Sequence, residues 1–263
     1  MTQRLDTLDS ADRAALHDSF MELRAAARAV EPDAWWLQLT ELTTLGYESI
    51  LDEIASRVRQ TPAGADAHIL DWGGGPGFLS YLLEALGLST TYYDLKYDYP
   101  SFEYVLSAIS AEKHFVGDDP VTLPFPDASF DAVISCGVLE HVPDAGGSLR
   151  EICRVLKPGG LFFVYHFPNK WSWTEALSRL LKRPHHDVLW TQKQLLGEVR
   201  DAGMEIERFD YRYMVPRNLV GFERASAFVS RHAPAIYRAD RVASRVPGLR
   251  TTANALNCVA VKR

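Results

Sequence analysis

Cysteine is scarce in this chain: three residues in 263, Cys136, Cys153 and Cys258, all far apart. An odd, scattered set gives neither a disulfide frame nor a metal-ligand spacing, so the three read as reduced thiols packed in a core. No run of 18 apolar residues occurs, which removes the pattern of a membrane-spanning helix. The opening MTQRLDTLDSADR lacks the apolar stretch of a secretory signal, so a cytoplasmic location is expected. A basic excess is missing too. The formal net charge is −6, whereas duplex-binding proteins usually carry a basic face. Neither nucleic acid nor membrane is therefore an expected partner. Internal repeats and low-complexity tracts are also missing. The rest is ordinary for a globular protein, with 47% hydrophobic and 24% charged residues. That length can form one domain with added parts, or two small ones.

One stretch organises the rest: HILDWGGGPGFLSYLLEALG, His68 to Gly87. A short apolar run, Ile69-Leu70, ends in Asp71. Gly73, Gly74, Gly75, Pro76 and Gly77 follow, and then Leu79, Leu82, Leu83 and Leu86 recur at the spacing of one helix face. Gly87 stands where a helix stops. Strand, glycine turn, helix is the reading. Such a turn lets bare backbone N–H groups approach a ligand. A dinucleotide fingerprint, GxGxxG, would need a third glycine at position 78, which is Phe78. The spacing is DxGxGxG instead. Taken alone, the turn could be no more than a tight strand-to-helix connection.

Residues 9–59 read as helical, with large apolar groups in AWWLQLTELTTLGY. Residues 1–60 are expected to form a helical lid or cap before the main domain, 61–263. Trp35 and Trp36 are either core packing or part of that lid, Trp36 then touching substrate. TPAGADA, Thr61 to Ala67, is a linker by composition. Strand and helix patterns then alternate. Thr90–Tyr93, His114–Val116, Phe130–Ser135 and Leu161–Phe167 read as strands, with helices over Glu103–Ser110 and around Leu149–Leu156, the latter stopped by KPGG. That alternation means a parallel sheet with helices on both faces. Further helices are expected over Thr174–Leu181 and after Thr191, which forms a capping box with Gln194. Glu205–Met214 and Asn257–Val261 read as the last strands. Between them lies a helical insertion at about 217–250, broken at Pro234. In it Arg217, Arg224, Arg231, Arg238 and Arg245 recur every seven residues, beside Arg241 and Arg250. Seven arginines against Glu223 and Asp240 give this segment a charge of +5. It reads as a solvated face before it reads as a patch for an anionic substrate or partner.

Asp71, Asp94 and Asp118 end three successive candidate strands. In an open parallel sheet such ends share one edge, where ligands bind. Asp94, 21 residues after Gly73, suits ribose hydroxyls, and Asp118 offers an acceptor for an exocyclic amine. In order, ILDWGGGPG, YYDLKYD, VGDDPVTLPFPDASFDAVISCGVLEHV and LREICRVLKPGGLFFV resemble the motifs of the class I S-adenosylmethionine-dependent methyltransferases, of the type 11-like group, over roughly residues 66–167. The resemblance implies a Rossmann-like α/β fold: a seven-stranded sheet, mostly parallel with an antiparallel last strand. It implies S-adenosylmethionine as cofactor. Gly73, Gly75 and Gly77 then resemble the loop under the methionine part of the cofactor, and Asp71 the acid that orders it. Asp94 looks like the ribose ligand, Asp118 the residue facing the adenine amine, and Cys136 and Gly137 the lining after the fourth strand. Asp119 stands where many relatives carry a small residue.

A sulfonium already activates its methyl group, so no conspicuous catalytic triad is needed. An oxygen or nitrogen acceptor can still need a base, and histidine is the usual one, with a pKa of about 6.5. His166 and His186 are the candidates. Glu140-His141 reads first as capping and strand-end packing, with His141 also a candidate to line the substrate. His185-His186-Asp187 makes a poor metal site, since no third strong ligand clusters with it, and no metal is expected. Tyr92 and Lys96 match a dehydrogenase-like YxxxK, but at a strand end, so the match is taken as chance. The expected function is methyl transfer to a small-molecule oxygen or nitrogen acceptor. The other readings are a non-catalytic S-adenosylmethionine-binding protein and a nicotinamide-dependent oxidoreductase.

Overall fold

Alternate residues of β1, His68–Trp72, point to opposite sides of a sheet. Ile69 enters the core on one side, and Leu70 and Trp72 enter the core on the other. This strand lies inside a seven-stranded sheet in a computed structural model that describes residues 8–38, 40–181, 186, 188–216, 219 and 222–263. His185, Asp187 and Arg217 lie outside the described residues, as does the side chain of Trp35.

The other strands are β2, Ser89–Asp94; β3, Glu112–Phe115; β4, Phe130–Cys136; β5, Leu156–Pro168; β6, Met204–Arg212; and β7, Ala255–Lys262. Their order is β3-β2-β1-β4-β5-β7-β6. Pairing is parallel from β3 to β5, and β7 runs antiparallel to both its neighbours. The expected sheet, with its antiparallel last strand, is the one observed. The order reverses between β1 and β4, so the carboxyl ends of these strands flank a crevice.

Helices cover both faces. On one side lie α1, Ser10–Val30; α2, Glu41–Arg59; α3, Phe78–Ala85; and α4, Pro100–Ala108. Leu16 and Phe20 of α1 and Leu51 and Ile54 of α2 share one core with Leu82 of α3 and Phe163 of β5. The segment expected to be a cap thus supplies a wall of the sheet's own core. The opposite face is covered by α5, Ala145–Val155, and α7, Gln192–Asp201, through Leu149, Ile152, Leu195 and Val199. The Thr191–Gln194 capping box is present at the start of α7.

Most boundaries shift by one to three residues from the sequence reading, and two differ for a physical reason. KPGG lies within β5 rather than in a stop after α5, with Gly159 at φ +78° and a shift in the β4–β5 register between Phe130 and Ala132. The insertion is α8, Glu223–Arg231, then α9, Ala233–Ala243, then a 3₁₀ turn, Leu249–Thr252. Its break falls at His232, because Pro234 sits in the first turn of α9, where the missing N–H costs nothing. A further helix, α6, Trp173–Leu180, follows β5.

Candidate functional site

The glycine loop is pinned to β2 through backbone and side chains. The Gly73 N–H donates to the Tyr93 carbonyl at 2.7 Å. The Gly75 N–H donates to Asp94 Oδ2 at 2.6 Å, while the Tyr92 hydroxyl donates to the Gly75 carbonyl at 2.8 Å. Both peptide groups of Gly75 are thereby fixed. Gly75 has φ +53°, and a Cβ placed on it would meet nothing within 4 Å, so its outer side is open. Gly73 shows the opposite constraint: at φ +72° its absent Cβ would lie 2.4 Å from the Val138 side chain. Glycine is needed at one position for the backbone angle alone, at the other for close approach as well.

Asp71 lies on the same side of β1 as Ile69, two residues on, and so faces α3. Its Oδ2 accepts the Ser80 hydroxyl at 2.8 Å. Full burial raises its carboxyl to about 6; the Ser80 bond opposes that rise and nearby Asp94 adds to it. Asp71 is therefore a buried brace between β1 and α3, behind the loop. Asp94 ends β2 at the rim. Its Oδ1 accepts from the Leu95 N–H at 2.6 Å and lies 3.4 Å from the Tyr97 hydroxyl. Burial raises its carboxyl above the usual range, against the backbone bonds from Gly75 and Leu95. Tyr97, three residues after Asp94, is a contact the sequence reading missed; YDLKYD carries it in plain view.

Asp118 lies three residues beyond β3 and is exposed. Asp119, also exposed, bonds within its own loop, accepting from the Val121 and Thr122 N–H groups and the Thr122 hydroxyl. Gly137 follows β4 at φ +71°, its N–H donating to the Tyr165 carbonyl at 2.9 Å. Cys136 Sγ lies 3.5 Å from His166 Nδ1.

His166 sits at an irregularity in β5, where pairing with β7 shifts between Val164 and Phe167. Its φ is +61°, a left-handed value that strains any residue with a Cβ. Its N–H donates to Asn257 Oδ1 of β7 at 3.0 Å, and its Nε2 lies 2.9 Å from the Tyr213 hydroxyl. Tyr213 is itself left-handed, at φ +65°. The Tyr47 ring of α2 meets the His166 ring edge-on at 5.2 Å. Tyr213 and Tyr47 come from opposite ends of the sequence, and no local pattern announces either.

His186 and His141 form a separate group. His186 Nδ1 lies 2.8 Å from Glu175 Oε1, and the two histidine rings are 6.2 Å apart. His141 is largely exposed, while Glu140 beside it is buried. Trp36 belongs elsewhere. Its ring is 1% exposed, stacks on Phe78 at 6.2 Å, and donates from Nε1 to the Ser101 hydroxyl at 3.2 Å. That is core packing; its link to the site runs through Phe78, the first residue after the glycine loop. The YxxxK match fails as a pair, since Tyr92 is buried on Gly75 and Lys96 is exposed. Among the described residues, no group of three histidine, cysteine or carboxylate side chains could hold a metal.

Comparison with known proteins points to one family. The methyltransferase domain family matches residues 70–164. An uncharacterized methyltransferase of a Mycobacterium species is 34% identical over 123 residues, covering 44% of this chain and 47% of that protein. A sterol 24-C-methyltransferase of Aspergillus fumigatus is 46% identical over 68 residues, covering 26% of this chain and 17% of the other. The matches thus span about half or less of these curated relatives. Among solved structures, the 1,6-didemethyltoxoflavin-N1-methyltransferase of Burkholderia thailandensis, bound to 1,6-didemethyltoxoflavin and S-adenosylhomocysteine, has a TM-score of 0.51. It is 21% identical, and the match covers 97% of this chain and 93% of that one, a likeness of fold.

Proposed function

We propose that this chain, which belongs to the class I S-adenosylmethionine-dependent methyltransferases, moves the methyl group of that cofactor onto a small-molecule oxygen or nitrogen acceptor. The observation that carries the proposal is the loop around Gly75, held at both peptide groups and open on its outer side, with Asp94 at its rim. A bare, pre-set backbone beside a carboxylate fits the amino-acid and ribose portions of the cofactor. When bound, S-adenosylmethionine supplies a methyl group already activated by a sulfonium.

The protein's part is then to bind, align and, for a protic acceptor, take a proton. Asp94 accepts hydroxyl hydrogen bonds at the end of β2. Gly137 and Cys136 line the space after β4. Asp118 lies on an exposed loop beyond β3, within the same strand-end edge. His166, at the end of β5, is the candidate base. Its imidazole is bracketed by the Tyr213 hydroxyl on Nε2 and Cys136 on Nδ1, so its ring orientation is set. His186 and His141 lie on another group of side chains and read as acceptor-lining. Trp36 supports the loop from behind rather than touching the acceptor.

Methyl-transfer assays over a panel of alcohols, phenols, amines and activated carbon acceptors test this. His166→Gln should lower transfer to a protic acceptor while S-adenosylhomocysteine affinity stays within about threefold, because the cofactor's own contacts are untouched. Unchanged turnover in His166→Gln would remove it as the base. A carbon acceptor is the second reading, favoured by the sterol 24-C-methyltransferase match. Transfer only to carbon nucleophiles would select it.

A further inference from the structure

Helix α6 is inside out. Its buried positions are polar: Glu175, 5% exposed, and Ser178, with Ser172 at the cap. Its outward positions are apolar: Trp173, Leu177 and Leu180, at i, i+4 and i+7, with Leu180 78% exposed, and Leu181 after it. A surface helix ordinarily shows the reverse. The orientation is fixed by bonds on the inner side. The Ser172 hydroxyl caps Glu175 N–H at 3.2 Å and, with Thr174, reaches Asn254 Oδ1 at 2.8 and 2.6 Å. Glu175 holds His186. Trp173 Nε1 donates to the Met214 carbonyl at 2.8 Å, which ties the helix to the segment leading into α8.

That neighbouring segment is basic. Both α8 and α9 pack on α2, so their outer sides face away from the same helix. Those outer sides repeat one pattern: Arg224, Phe228, Arg231 on α8, and Arg238 and Val242 on α9 with Arg245 in the turn just after it. Each places an exposed apolar side chain four residues after one arginine and three before another. Among the described residues, none of these four arginines pairs with a carboxylate. Residues 222–250 hold six arginines against Glu223 and Asp240, or +4, on a chain of net charge −6.

From the inverted helix and the paired Arg-apolar-Arg faces, we propose that α6, α8 and α9 form a surface that docks peripherally on an anionic lipid bilayer. The chemistry fits that occupant. Tryptophan and leucine enter the headgroup boundary, and arginine stems lie along it with their charges at the lipid phosphates. Nucleic acid would use the arginines but leave Leu177 and Leu180 in water. The acidic remainder of the chain does not oppose docking strongly, since charges beyond about 8–10 Å are screened at physiological salt. No helix among the described residues is long and apolar enough to cross a membrane, so the contact is superficial. This inference does not depend on which acceptor is methylated.

The test is co-sedimentation of the full chain with phosphatidylcholine vesicles, and with vesicles of equal parts phosphatidylcholine and phosphatidylglycerol, at low and high salt. Binding is expected to the mixed vesicles only, and to weaken with salt. Arg231→Glu with Arg238→Glu should weaken it by about tenfold or more, from two attractive charges reversed. Leu177→Ser with Leu180→Ser should weaken it by a similar factor. Thermal melts check that each double variant is folded; the arginines are exposed, so that variant decides the matter if the leucine one fails to fold. No binding to mixed vesicles, or equal binding by the arginine variant, overturns the proposal. So does retention of RNA by a protein that ignores the vesicles.

Discussion

The two ends of the ligand-binding edge are assembled by different means. Around Gly75 the side-chain hydrogen bonds come from a short stretch: Asp71, Ser80, Tyr92 and Asp94 all lie within 24 residues of one another. Around His166 the partners are remote. Tyr213 is 47 residues away, Asn257 is 91, and Tyr47 arrives from α2. The first end uses backbone groups and glycine angles, which demand particular residues at particular spacings. The second uses side-chain packing, which many sequences could satisfy. On the proposed reading, the cofactor's end is thus fixed locally and the acceptor's end by the tertiary fold.

The largest effect expected of a substitution concerns neither end directly. Trp36→Ala should destabilise the protein by about 3–5 kcal/mol, as for other large buried aromatics. Denaturant unfolding measures it. A small stability loss with a raised Michaelis constant would instead place Trp36 against the acceptor and undo its assignment to the core.

The local end should be sensitive to pH. Burial raises the Asp71 carboxyl to about 6. An unfolded aspartate titrates near 3.9. Between those values the folded chain keeps a proton that the unfolded chain has lost, so stability falls as pH rises from about 4 to 6. For this group alone the fall is up to about 3 kcal/mol. Asp94 is raised as well and acts with the same sign. Asp71→Asn should flatten the slope in part, leaving the Asp94 share. A slope unchanged in Asp71→Asn would mean that Asp71 is not the buried brace.

Asp94→Ala should weaken S-adenosylhomocysteine binding by tenfold or more, from the loss of charge-assisted hydrogen bonds worth about 1.5–3 kcal/mol each. The same substitution also frees the Gly75 N–H, so Asp94→Asn should recover less than half of the loss. Equal affinity in wild type and Asp94→Ala would break the distinction between the two ends.

This division explains what could be read from the chain. The glycine turn and the α7 capping box were legible because each rests on local spacing, and the alternation of strand and helix patterns gave a parallel sheet; its seven strands and reversed last strand came from the family resemblance. Asp71 was marked as an ordering acid by the resemblance alone; its depth, facing Ser80, comes from the pleat of β1. Tyr97 lay in a motif already singled out but had no spacing rule to mark it. Tyr213 and Tyr47 had no local signal at all. Trp36 was ambiguous because an aromatic before the first strand looks alike as core or as cover; only its stacking on Phe78 decides. The inverted polarity of α6 could not be seen in Trp173–Leu180, since periodicity locates an apolar face without saying which way it points.

The central claim is that the loop around Gly75, with Asp94, is built for an S-adenosyl group and not for a dinucleotide. Calorimetric titration of the wild-type chain with S-adenosylhomocysteine and, separately, with NADH tests it directly. The account predicts a dissociation constant on the order of micromolar for S-adenosylhomocysteine, about −8 kcal/mol, and no measurable heat from NADH. Tight binding of NADH with none of S-adenosylhomocysteine would contradict it.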